Sequence, residues 1–178
     1  MIVFREAKDE DIKSLMNLDR QIRRDLSSKK NSYFLEPITE DELRRGLGKP
    51  SVIIMASDGI KLLGFVFLKE LYDKEERVYE RAFDNFKPGK ALMIREIGFY
   101  PEHQKNGNCM ELLRTARKYA IEHNFKQFVG ALHPDDLQSQ NAILTLWERG
   151  KALRFDNQCI KVTEGKRFLR QRFLLDLV

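Results

Sequence analysis

Cysteine is scarce: Cys109 and Cys159 are the only two in 178 residues, and their spacing gives no sign of a disulfide framework. Free thiols in a reducing compartment are the expectation. Histidine is nearly as sparse, and His103, His123 and His133 fall at no paired spacing with one another or with the cysteines, which argues against a metal centre. Long hydrophobic runs are missing as well. The longest nearly apolar stretch, Leu62 to Leu68, is far too short to cross a bilayer. The opening Met1 to Lys13 turns charged at once, without the apolar region of a secretion signal, so a cytoplasmic location with no membrane partner is expected. No internal repeat, low-complexity segment or linker interrupts the chain, and residues 1–178 read as one domain.

What is present belongs to an ordinary folded domain. Twelve Phe and five Tyr supply apolar area that disordered chains lack, and the length suffices to bury a core without metals or disulfides. Charge is abundant but mixed: 32 Lys+Arg against 27 Asp+Glu leave 32 − 27 = +5. Such a surplus is compatible with nucleic acid, an anionic membrane or an anionic small molecule, and most simply with a mixed solvated surface. The basic C-terminal residues Arg149, Lys151, Arg154, Lys161, Lys166, Arg167, Arg170 and Arg172 show neither an RNA-binding aromatic motif nor a helix-turn-helix pattern, so nucleic acid is not favoured as a partner.

Periodicity sets out the elements. Ile2-Val3-Phe4 reads as a strand, and Ile12, Leu15, Leu18, Ile22 and Leu26 recur at helical steps behind the acidic start Asp9-Glu10-Asp11. Thr39 and Glu42 have the spacing of a capping box opening a short helix, which Gly46, Gly48 and Pro50 stop. Val52 to Ala56 and Leu62 to Leu68 form an expected antiparallel pair around Asp58-Gly59. Lys69 to Lys90 is a charged insert, read as a loop plus a helical piece with its own small apolar face. Leu92 to Tyr100 is a strand. Cys109, Leu113, Ala116 and Ala120 mark a helix that Asn124 ends, followed by a strand over Phe125 to Leu132. Pro134-Asp135-Asp136 opens a turn or helix; Ile143, Leu146 and Trp147 mark a further helical face. Strands near Cys159 to Val162 and Phe168 to Leu175 close an α/β order with a mixed sheet.

The segment richest in chemistry is Leu92 to Arg117: a strand, the polar loop Gln104-Lys105-Asn106-Gly107-Asn108-Cys109, and a long helix. Such a loop delivers consecutive backbone N–H groups to a helix N-terminus, where phosphate oxygens bind. Gly107 permits close approach or positive φ, and Lys105 adds a charge.

These features fall in an order that resembles the GNAT superfamily of acyl-CoA-dependent N-acyltransferases over nearly the whole chain. Arg5-Glu6-Ala7-Lys8-Asp9-Glu10-Asp11-Ile12 is similar to the family's opening, Arg-x-Ala-x-x-x-Asp before the first helix. The Ser57-Asp58-Gly59 hairpin matches its second and third strands. Ile97-Gly98-Phe99-Tyr100-Pro101-Glu102-His103-Gln104-Lys105-Asn106-Gly107-Asn108-Cys109 resembles its fourth strand and pyrophosphate loop, with Cys109 where the last small residue stands. His133-Pro134-Asp135-Asp136-Leu137-Gln138-Ser139 is similar to a motif after the fifth strand of some members.

The resemblance implies an α/β (α+β) fold: a mixed, mostly antiparallel sheet with helices on both faces and splayed central strands. It also implies acetyl-CoA as acyl donor, no metal, and a primary amine of a small molecule or protein as acceptor, attacking directly in a ternary complex; a homodimer is compatible with it. The main chain of Ile97, Gly98 and Phe99 would pair with the pantetheine arm. Gln104, Lys105, Asn106, Gly107, Asn108 and Cys109 would hold the pyrophosphate, and Ser139, with Asp136, would lie on the far side of the cofactor channel. Glu96 is the candidate general base, its bland alternative being a surface carboxylate paired with Arg95 or a basic neighbour. The backbone N–H of Ile97 or Phe99 would face the oxyanion. Trp147 stands near the position of the family's usual leaving-group Tyr, and indole has no proton to give, so Trp147 reads more simply as a core or channel aromatic; the thiolate would leave unassisted or through water, or else His133 or Cys159 would serve. Cys109 as a nucleophile would need a base and an orienter, and a helix start could lower its pKa, yet a small residue in a tight loop is the simpler account. The missing Tyr and the Cys109 departure keep a second reading open, a catalytically inactive CoA-binding regulatory or interaction module.

Overall fold

A computed structural model of the chain describes residues 2–28, 37–103, 107–132, 141, 143–144, 152–156, 159–163 and 166–177. Strands β1 (Val3–Glu6), β2 (Val52–Ser57), β3 (Leu62–Glu70), β4 (Ala91–Phe99), β5 (Gln127–Leu132), β6 (Ala152–Phe155), β7 (Cys159–Thr163) and β8 (Lys166–Asp176) alternate with helices α1 (Ile12–Ser28), α2 (Glu40–Gly46), α3 (Asp73–Ala82) and α4 (Asn108–Glu122). Hydrogen bonding orders the strands β1-β2-β3-β4-β5-β8-β6, with β7 on β8. β1 with β2, β2 with β3, β5 with β8, β6 with β8 and β7 with β8 pair antiparallel, while β4 and β5 run parallel over Ala91–Met93 and Gln127–Val129. This is the mixed, mostly antiparallel sheet expected of the fold class.

The chain divides into two compact units, Met1–Lys69 with Ile94–Ala116, and Glu70–Met93 with Arg117–Val178. In the first, α1 turns Ile12, Leu15, Leu18 and Ile22 inward, and they pack with Ile38, Leu43, Ile53, Met55, Phe65 and Phe67. The start of α1 is fixed by charge. Arg5 donates from Nη1 and Nη2 to the two Asp11 oxygens at 2.7 and 2.8 Å, and Asp11 also accepts the Lys8 N–H at 2.8 Å. The Arg5 guanidinium holds the Asp11 carboxyl below its ordinary value. That pair gives a physical reason for an Arg and an Asp six residues apart at this opening.

The expected capping box is formed: Thr39 Oγ1 accepts the Glu42 N–H at 3.1 Å, and Glu42 Oε2 accepts the Thr39 N–H at 3.3 Å. The β2–β3 hairpin turns on Asp58, whose Oδ1 accepts the Ile60 and Lys61 N–H groups at 3.0 and 2.8 Å, with Gly59 at φ +98°. Both devices are the ones read from sequence, because each satisfies backbone donors locally.

In the second unit the charged insert carries a ten-residue helix, α3. Tyr79 of α3, with Phe83 and Phe86 just beyond the helix, joins Leu71, Ala91, Val129 and Leu174 in a buried cluster. Helix α4 ends as Asn124 was placed to end it. Asn124 takes φ +63°, while the Phe125 N–H reaches Ala120 O at 2.9 Å and the Asn124 N–H reaches Ile121 O at 3.0 Å, a Schellman closure. Strand β6 was not anticipated: Ala152 to Phe155 is four residues long, with Arg154 and Phe155 exposed, so it offers no alternation to read. The sequence-derived elements at His133 to Gln140 and at Leu146 and Trp147 lie outside the described residues; Asn141, Ile143 and Leu144 are helical.

Candidate functional site

Strand β4 and the start of α4 carry the proposed site, and Ile94–Phe99 and Asn108–Ala116 belong to the first unit. Burial alternates along the strand, with Ile94, Glu96 and Gly98 buried and Arg95 and Ile97 half-buried. The face is identified by Gly98: a Cβ there would sit 2.5 Å from Ile22 Cδ1 of α1 and 3.0 Å from Phe65 Cε1. Glycine is what lets the helix approach the strand so closely. On the opposite side Gly64 of β3 makes room for the Phe99 ring, which lies 2.5 Å from where its Cβ would be.

Two residues before Gly98, on the same face, Glu96 meets α1. Its Oε2 accepts from Arg23 Nη2 at 3.2 Å, while Arg23 donates to Asp19 from Nη2 at 2.8 Å and from Nε at 2.9 Å. Asp19 and Glu96 are 3% and 6% exposed. Glu96 Oε1 is buried and has no hydrogen-bond partner among the described residues. Burial foremost, and the neighbouring Asp19 charge next, push the Glu96 carboxyl up to about 8, against the pull of Arg23 and Arg95. Glu96 is thus buried and not at the surface, and the basic neighbour it pairs with is Arg23, not Arg95. Arg95 is turned to Glu42 of α2, its Nε 3.2 Å from Oε1.

Asp19 and Arg23 were missed in the sequence. The signal was there: Asp19 lies four residues after Leu15 and next to Leu18, so it sits on the helix face that the apolar residues bury. An acid on that face needs a partner, and Arg23 stands one turn on.

Beyond β4 a single turn, Pro101–His103, leads to the loop. Gln104, Lys105 and Asn106 lie outside the described residues, as do His133, Asp136, Ser139 and Trp147. Gly107 is exposed with φ +75°, and among the described residues nothing lies within 4 Å of where a Cβ would stand, so the chain there is left-handed and open toward them. Asn108 begins α4, its Nδ2 donating to His103 O at 3.2 Å. The Glu111 N–H closes on Gly107 O at 3.0 Å as the first helical bond, so the N–H groups of the preceding turn are directed out of the helix end. A helix of fifteen residues behind that end supplies the dipole that favours an anion. Cys109 is a free thiol, half-buried, and burial pushes its pKa up. That is the opposite of an activated nucleophile and agrees with a small residue packed at a helix start.

Among the described residues no helix is long and apolar enough to cross a membrane, and no group of three or more His, Cys, Asp or Glu side chains gathers to hold a metal ion. No family model and no curated protein matches the sequence. Solved structures do match in fold. Arabidopsis thaliana NAA60 in complex with acetyl-CoA superposes with a TM-score of 0.73 at 18% identity, over 98% of each chain. The same protein in complex with a bisubstrate analogue gives 0.74 at 16%, over 99% of this chain and 98% of that one. The ribosomal-protein-S18-alanine N-acetyltransferase from Escherichia coli gives 0.67 at 11%, over 99% of this chain and 94% of that one. At these identities the likeness is one of fold.

Proposed function

From the premise that the chain has the GNAT fold, we propose that it is an acetyl-CoA-dependent N-acetyltransferase whose acceptor is a primary amine and whose general base is Glu96. The observation that carries this reading is the buried Glu96 carboxyl, with one oxygen unpartnered, on the strand that runs into the α4 loop. The residues present fit the nucleotide: Gly107 is left-handed and open at a helix N-terminus, the arrangement that receives phosphate oxygens through backbone N–H groups. Structures of similar fold that contain acetyl-CoA or a bisubstrate analogue support the choice of donor.

Acetyl-CoA supplies the thioester carbon that the amine attacks and the thiolate that leaves. The work of the chain is positional and acid–base. The N–H groups of Gly107 to Cys109, with Gln104, Lys105 and Asn106, hold the pyrophosphate, and the main chain of Ile97, Gly98 and Phe99 extends along the pantetheine. Glu96 takes the proton that the amine must lose as its nitrogen bonds to carbon, directly or through a water. A carboxylate that holds its proton up to about pH 8 is a far better match to an amine than an ordinary one. The rate should therefore climb as pH rises toward 8, where Glu96 ionises. Ser139 would contact the cofactor from the segment after β5. The protein is read as cytoplasmic and as a single functional domain.

The test is thermal stability with and without acetyl-CoA, followed by an amine panel read as free-thiol release. A ligand at a hundred times its dissociation constant should add roughly 2.7 kcal/mol. No shift with any acyl-CoA rejects the reading. A shift without turnover across the panel favours the CoA-binding module. Gly107→Asp sets a carboxylate against the phosphates and forces a non-glycine residue to φ +75°, so it should abolish the shift.

A further inference from the structure

Glu96 is one member of a three-residue cluster, and the other two come from α1. Asp19 and Arg23 are a helical turn apart, and Arg23 is gripped by both Asp19 oxygens before the same Nη2 reaches Glu96. The guanidinium is only 18% exposed at its side chain, and the two carboxylates are 4% and 3% exposed at theirs. Two buried acids thus share one cation. With all three ionised the cluster would carry a net negative charge in the core, a state that burial opposes.

The geometry distinguishes the two acids. Both oxygens of Asp19 face Arg23 N–H donors, whereas among the described residues Glu96 has a partner at Oε2 and none at Oε1. Among the described residues the only other cation that lowers the Glu96 carboxyl is Arg95, and its effect is weaker than that of Arg23. Arg95, the next residue back along β4, is held by Glu42 of α2. From β3 the group beside this face is the Phe65 ring.

We propose that Asp19 and Arg23 are positioning residues for the Glu96 carboxyl: Arg23 fixes its orientation through Oε2, and Asp19, by occupying Arg23, keeps Glu96 short of a full counter-charge and so able to hold a proton. This rests on the acyltransferase reading for its use, since it makes α1, not the β4 strand alone, the element that tunes the base. The cluster itself can be tested without any substrate.

The experiment follows the Glu96 carboxyl directly, by carbon NMR of glutamate-labelled protein, with its resonance identified by loss in Glu96→Gln. Asp19→Asn removes the competing charge and should lower the Glu96 midpoint by a unit or more, at least about tenfold in proton affinity. Arg23→Gln removes the cation and should raise it by a similar amount, while Arg23→Lys should restore it to within about half a unit. The limb of the kcat/KM–pH profile should move with the NMR midpoint in each variant. An unchanged midpoint in Asp19→Asn, the same direction in Asp19→Asn and Arg23→Gln, or a rate profile that ignores a moving midpoint would each overturn the proposal. Should Arg23→Gln fail to fold, Asp19→Asn decides alone. Midpoints that move as expected with no turnover on any amine would instead fault the acyltransferase reading.

Discussion

Each compact unit buries a polar cluster, and the two are built to opposite ends. In the second unit Gln127 is fully buried, and every polar atom of its amide is used. Its Oε1 accepts the Lys87 N–H at 2.8 Å, and its Nε2 donates to Asn85 O at 2.9 Å and to Asp176 Oδ1 at 2.8 Å. Asp176 Oδ2 in turn accepts from Arg154 at 3.2 Å. One donor and two acceptors around the amide also fix which way it points. In the first unit Asp19, Arg23 and Glu96 share one cation between two acids and leave one oxygen unpartnered among the described residues. A satisfied network fastens the insert to β5 and β8. An acid with a buried oxygen left unpartnered among the described residues carries a cost that the satisfied amide does not, and on our proposal the cluster at Glu96 is functional and that at Gln127 structural.

The largest effect expected from breaking this contrast is at Gln127. Gln127→Leu keeps the volume but strands Lys87 N–H, Asn85 O and an Asp176 oxygen, so unfolding in denaturant should show a loss of about 3–5 kcal/mol. The loss should be the same at pH 5 and pH 8. If the variant is as stable as the parent, the network is not a fastening.

Glu96 should behave in the reverse way. Its folded-state value of about 8 stands above the 4.5 of an ordinary glutamate. Between these values the unfolded chain releases the proton and the folded chain keeps it, so the contribution of Glu96 to stability is fully present below about pH 4.5 and is lost as pH rises through about 8. The swing is on the order of a few kcal/mol. Glu96→Gln should remove this contribution, flattening the fall in stability from pH 5 to pH 8. A parent profile already flat over that range would mean the carboxyl is not held protonated.

How much of this contrast was legible in the sequence differs between fold and site. The hairpin at Asp58-Gly59, the capping box at Thr39 and the closure at Asn124 could be read because each is a local bargain between a side chain and nearby backbone N–H groups. Helices α1 and α4 could be read because their buried residues repeat at helical steps. Strand β6 could not, since its four residues carry no alternation and its place on β8 is a pairing between distant segments. The base candidate Glu96 was visible through family resemblance; its burial and its partners were not. A charged residue defaults to the surface, and overriding that default at Asp19 and Arg23 requires knowing that β4 brings a second acid to the same helix face, 73 residues from Arg23. Gln127 was read only as part of a strand, and its partners at Lys87, Asn85 and Asp176 are likewise far away in sequence.

A smaller effect should follow from closing the gap that lets α1 reach β4. Gly98→Ala places a methyl 2.5 Å from Ile22 Cδ1 and 3.0 Å from Phe65 Cε1. Both are ends of side chains that can yield in part, so the cost should be about 1–3 kcal/mol, not a failure to fold. Ile22 is one residue from Arg23, so any shift of α1 also moves the Arg23 head relative to Glu96. The comparison then sharpens: Gly98→Ala should move the Glu96 midpoint as well as lower the melting temperature, whereas Gln127→Leu should lower the melting temperature alone.

The smallest effect belongs to a third polar group, at the surface, which sets the scale for the other two. Thr39 and Glu42 exchange hydrogen bonds at the start of α2, and Glu42 spends its other oxygen on Arg95. Water can replace what is lost at an exposed helix end, so Thr39→Ala should cost only about 1 kcal/mol. Arg95 contributes to the field at Glu96, but it lowers that carboxyl less than Arg23 does. Loosening Glu42 should therefore leave the Glu96 midpoint within a few tenths of a unit of the parent. A midpoint shift in Thr39→Ala as large as that in Asp19→Asn would mean the proton on Glu96 is governed by the charges around it in general, and α1 would lose its special part in the site.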